Sequence, residues 1–118
     1  MVRRVLDKSL YTVDEAEDGV VAVSKVAGRV KRGEAPYDVI LMDFMMPKMN
    51  GPTATKEIRC LGYEGLIIGV TGNFSPQDLD TFTASGANLV MHKPLDIELL
   101  VANIRGMCRI GQFKLDTI

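Results

Sequence analysis

Apolar positions along this chain alternate between two periods. Val2, Val5, Leu6 and Leu10 recur at helical spacing and predict a short amphipathic helix over residues 2–10. Residues 11–16 read as a strand with Thr12 and Val13 inside it, followed by the turn formers Asp18-Gly19. Asp18 is placed to cap a helix on which Val23, Val26, Ala27 and Val30 share a face, and Gly33 stops it. An unbroken apolar run, residues 39–42, predicts a strand buried on both faces, as in a parallel sheet. Pro47, Asn50 and Gly51 then force a loop, and a helix over residues 52–61 ends at Gly62. The run 66–70 is a third strand, closed by Thr71 and Gly72-Asn73. Ser75-Pro76-Gln77-Asp78 has the cap, proline and first-turn acid of a helix start, and Gly86 stops that helix. Residues 87–91 form a fourth strand leading into His92-Lys93-Pro94. Asp96 caps a last helix, striped by Ile97, Leu100, Val101, Ile104 and Cys108. The order α-β-α-β-α-β-α-β-α predicts an α/β domain with parallel strands joined by right-handed crossovers.

Composition narrows the picture. A chain of 118 residues, 47% apolar, has room for one domain and one core. A formal net charge of −1 gives no global reason to expect nucleic acid or a membrane surface as partner. No apolar stretch approaches the ~20 residues of a membrane span, and the N-terminus lacks the apolar core of a signal peptide. Cys60 and Cys108 have no metal-binding spacing, which suits free thiols in a reducing cytosol. The expected location is cytoplasmic.

The chemistry sits at strand ends. An Asp after an apolar run is usually a turn former or a helix cap. Here Asp43, Thr71 and Lys93 each follow a strand, and neighbouring parallel strands would bring all three to one crevice at the carboxyl edge of the sheet. A carboxylate can attack phosphorus and form an acyl phosphate. A hydroxyl can donate to a phosphoryl oxygen, and an ammonium can neutralise the transferred charge. Phosphoryl transfer depends on positioning and charge stabilisation, so no neighbouring histidine base is required.

On these residues the chain resembles the receiver domains of two-component response regulators and hybrid histidine kinases. The likeness covers residues 1–110, with 111–118 as a C-terminal tail. It rests on residues 37–51, ending Asp43-x-x-Met46-Pro47-x-Met49-Asn50-Gly51, on Val70-Thr71-Gly72, and on Lys93-Pro94-Leu95, with Thr71 and Lys93 22 positions apart. The resemblance implies a flavodoxin-like (CheY-like), doubly wound, three-layer α/β/α fold with strand order 2-1-3-4-5. It implies that Asp43 accepts a phosphoryl group from a histidine kinase or histidine phosphotransfer protein, and that Thr71 and Lys93 bind it and report its presence. The domain would assist its own phosphorylation without being an enzyme, and would touch neither nucleic acid nor membrane. A cis Lys93-Pro94 bond is also implied.

Departures from the family carry expectations of their own. The sequence starts inside the family's first helix, so its first strand, and the acidic pair that follows it, are missing. The absent strand belongs between residues 11–16 and 39–42. Mg²⁺ is then expected to bind poorly, held only by Asp43 and the backbone carbonyl of Met45. Glu15, Glu17 and Asp18 lie near that edge but read more naturally as a solvated turn and a helix cap. Val90 stands where many response regulators carry Tyr or Phe, as in receivers that pass phosphate onward. Asn50 fits a turn or helix cap, His92 has no metal partner in view, and Met42, Met45, Met46 and Met49 read as packing. The leading reading is a phosphoacceptor module of a phosphorelay. The alternative is a degenerate receiver serving as a phosphorylation-independent interaction module. A nucleotide-binding enzyme lacks a glycine-rich phosphate loop.

Overall fold

The computed structural model describes residues 12–13, 16–72, 75–111 and 116–117. The helix expected over residues 2–10, and Glu15, therefore lie outside the described residues. Short polar side chains start each described helix. Asp18 Oδ1 accepts the Val21 N–H at 2.9 Å and opens α1 (Gly19–Arg32), which Gly33 closes in the left-handed conformation, φ 67°. Asn50 Oδ1 accepts the Thr53 N–H at 2.9 Å and opens α2 (Gly51–Cys60). Ser75 Oγ accepts the Asp78 N–H at 3.2 Å at the head of α3 (Pro76–Ser85), and Asp96 Oδ1 accepts the Leu99 N–H at 3.1 Å at the head of α4 (Ile97–Gly111).

Five strands form one parallel sheet: β1 (Thr12–Val13), β2 (Val39–Asp43), β3 (Leu66–Thr71), β4 (Leu89–His92) and β5 (Asp116–Thr117). Their order is β1-β5-β2-β3-β4. The position between β1 and β2, where the resemblance places the family's first strand, is occupied by β5, from the segment read as a tail. Thr12 and Val13 pair with Asp116 and Thr117, and Val39 pairs with Thr117. Two parallel backbone segments cannot sit side by side across an empty strand width without orphaning buried N–H and C=O groups, so some extended segment must stand there. The chain's own C-terminal residues do so.

Two apolar layers flank the sheet. Ala22 and Val26 of α1, Ala54 and Ile58 of α2 and Phe82 of α3 pack on Ile40, Met42 and Ile67. Leu100 and Ile104 of α4 pack on Val39, Leu66, Ile68 and Met91 on the other face. The period-2 alternation of β2 and β3 thus divides between both layers, which is why these runs carry no polar face. The strand expected over 87–91 begins at Leu89 instead. The Asn88 side chain explains the shift: its Oδ1 accepts the Ile67 N–H at 2.8 Å, taking the ladder position a backbone carbonyl would fill.

The amino edge of the sheet is tied by one side chain. The Arg59 guanidinium donates to the carbonyls of Tyr63, Gly65 and Gly86 and to Asn88 Oδ1, all within 2.9–3.1 Å. It also lies 5.5 Å from the centre of the Tyr63 ring. Burial pulls this guanidinium below the usual arginine range, yet it remains charged at neutral pH.

Candidate functional site

The carboxyl edge gathers the residues the sequence singled out. Asp43 is the last residue of β2 and stands opposite Val70 in the ladder, while Thr71, the last of β3, stands opposite His92. Backbone bonds lock the three strand ends together. The Phe44 N–H donates to the Val70 carbonyl and the Lys93 N–H donates to the Thr71 carbonyl, each at 2.8 Å. Lys93 leaves β4 at a cis bond to Pro94, as the resemblance implied.

This framework brings the Lys93 ammonium to 3.0 Å from Asp43 Oδ1, and each side chain is 48% exposed. A carboxylate so placed is held by a cation yet open to an incoming group. Thr71 lies one residue beyond the ladder partner of Asp43 and is buried, with Lys93 bonded to its carbonyl. Met45, two residues past Asp43, is 81% exposed on the rim.

The loop after Asp43 is folded tightly against its neighbours. The Gly51 N–H donates to the Phe44 carbonyl at 2.8 Å, and a Cβ on Gly51 would collide with the Asp43 carbonyl oxygen. Only glycine lets α2 start this close to the end of β2. Lys48 adopts φ 66° and places its ammonium 3.8 Å from Asp18 Oδ2. The loop is thereby tied to the head of α1, where a Cβ on Gly19 would strike the Met49 carbonyl. Lys48 was not singled out in the sequence. No local pattern marks a lysine for a positive φ.

Phe44 and Phe82 were missed as well. Their rings meet edge to face, with centroids 5.4 Å apart and planes at 83°. A signal for Phe82 was present: Gly69 interrupts an otherwise apolar strand, and an interior glycine marks a close approach. A Cβ there would lie 2.8 Å from the Phe82 ring.

A parallel α/β sheet with an Asp–Lys pair at its carboxyl edge is the arrangement of a receiver. Residues 1–105 match the response regulator receiver domain family, and the chain belongs to that family. It is similar to a rice (Oryza sativa subsp. japonica) two-component response regulator, 46% identical over 88 residues, covering 75% of this chain and 66% of that protein. It is also similar to the Escherichia coli sensor protein EvgS, 32% identical over 111 residues, covering 94% of this chain and 9% of that protein. The chain thus spans only part of these relatives' length. Among solved structures, the receiver domain of a Pseudomonas aeruginosa sensor histidine kinase superposes with a TM-score of 0.76 at 29% identity, covering 89% of this chain and 83% of that one. That structure carries a magnesium ion coordinated in its active-site cleft.

The described residues of this chain do not by themselves fit such an ion. Mg²⁺ prefers an octahedron of oxygens built from one or two carboxylates, waters and phosphate. Among the described residues no group of three or more His, Cys, Asp or Glu is placed to hold a metal. Asp18 is committed to the cap of α1 and to Lys48, and Glu17 is exposed. Among the described residues no helix is long and apolar enough to cross a membrane.

Proposed function

We propose that this receiver domain accepts a phosphoryl group on Asp43 from a phosphohistidine of a histidine kinase or a histidine phosphotransfer protein, as one station of a phosphorelay. The observation that carries the reading is the Lys93 ammonium 3.0 Å from Oδ1 of a half-exposed Asp43. A carboxylate oxygen of Asp43 attacks phosphorus as the N–P bond of a protonated phosphoimidazole breaks. The bonding pair goes to the ring nitrogen, neutral imidazole leaves, and an acyl phosphate remains on Asp43. Lys93 neutralises charge on the phosphoryl oxygens, and Thr71, at the adjacent strand end, donates to one of them. The domain assists this transfer and acts on no further substrate. Asp43 and the Met45 carbonyl are the protein ligands offered to Mg²⁺, and affinity for the ion is low.

Incubating the chain with acetyl phosphate and Mg²⁺, followed by intact-mass measurement, tests the reading. Gain of one phosphoryl group, absent in Asp43→Asn, supports it. No gain at any Mg²⁺ concentration overturns it. One observation favours the second reading, an interaction module without phosphoryl chemistry: the sparse set of acids described around Asp43. In that case Asp43→Asn leaves partner binding unchanged.

A further inference from the structure

Phe82 is the one fully buried residue of α3, at 0% exposure, so its ring is the deepest anchor of this helix in the domain. Four elements meet around that ring. Gly69 of β3 supplies its floor, since any Cβ there would lie 2.8 Å from the ring, and Gly51 at the head of α2 would bring a Cβ to 2.9 Å. Phe44 meets it edge to face at 5.4 Å. Phe44 follows Asp43 directly, and Gly51 is bonded to the Phe44 carbonyl and closes on the Asp43 carbonyl. The anchor of α3 is therefore packed against both residues that frame the backbone of the acceptor. Val90, which packs on the same cluster, is too short to swing between positions.

We infer that the Phe44–Phe82 contact couples the state of Asp43 to the placement of α3, making Phe82 a positioning residue through which the acceptor is read. The inference rests on the phosphoacceptor reading above. A new group on Asp43 shifts the joint of Asp43, Phe44 and Gly51. A close-packed ring with glycines at two sides has no slack to absorb that shift, so α3 follows. A shorter side chain at residue 82 leaves slack and uncouples the two.

The test is amide hydrogen exchange of the full chain with and without acetyl phosphate and Mg²⁺, with phosphoryl occupancy measured by intact mass on the same samples. In the wild type, exchange of residues 76–85 is expected to change by about fivefold or more on phosphorylation, the lower end of ordinary coupling between sites. In Phe82→Leu the phosphoryl group is still gained and the α3 change is lost. If Phe82→Leu does not fold, Phe44→Leu loosens the same contact from the other side and is held to the same outcome. An α3 response that persists in a folded variant overturns the inference, as does a phosphorylated wild type with unchanged α3. Absence of any phosphoryl gain in the wild type overturns the acceptor reading itself and takes the inference with it.

Discussion

Lys93 and Asp43 form an ion pair that reaches over the end of β3, from the fourth strand to the second. Both side chains are half solvated, so the pair contributes little to folding, on the order of 0–1 kcal/mol. On the proposed phosphoacceptor reading, its value lies in charge that arrives later. Lys93→Met is expected to leave the melting temperature almost unchanged while slowing phosphoryl gain from acetyl phosphate by about 100-fold, the scale for removing one charge-stabilising donor. A mass-spectrometric time course checks this, and a variant as fast as the wild type would remove Lys93 from the chemistry.

Thr55 is fully buried in α2, and its Oγ1 has no hydrogen-bond partner among the described residues. A buried, unsatisfied hydroxyl costs about 1–3 kcal/mol. Thr55→Val keeps the shape and removes that cost, so the thermal midpoint should rise, by about 3–6 °C for each kcal/mol recovered. Calorimetry decides the matter: a lowered midpoint would mean that the hydroxyl is satisfied in solution.

Arg59 joins the loops before β3 and β4 through the fork geometry of its guanidinium. Lysine cannot reproduce bonds to four separate acceptors. Arg59→Lys should destabilise the domain by about 2–3 kcal/mol in urea unfolding. Phosphoryl gain at Asp43 should be untouched, because the two residues occupy opposite edges of the sheet. A slowed acceptor would contradict that separation.

Gly69 leaves room for the Phe82 ring and for nothing more. Gly69→Ala overpacks this site and is expected to cost about 1–3 kcal/mol. Pairing it with Phe82→Leu should recover part of the loss, a non-additivity that a double-mutant cycle measures directly. Simple additivity would show that the two residues do not press on each other.

Much of this was legible in the sequence because it is local. Asp18, Asn50, Ser75 and Asp96 announce helix starts through side chains that reach only three residues onward. The runs ending at Asp43, Thr71 and Lys93 announce strands that terminate at one edge, and parallel pairing follows from the intervening helices. Long-range contacts were not legible. Nothing adjacent to Lys48 indicates that it faces Asp18, and nothing adjacent to Phe82 names Phe44 as its neighbour. The place of residues 116–117 between β1 and β2 escaped for the same reason. A two-residue strand has no periodicity, and the slot it occupies is defined by segments far away in the chain.

The guanidinium tie of Arg59 also bears on how this domain can diversify. Its four-acceptor grip adds cohesion at the rim of the sheet facing away from Asp43. Changes at the other rim, such as the choice of the exposed residue 45, can therefore alter the surroundings of Asp43 while that grip stays intact.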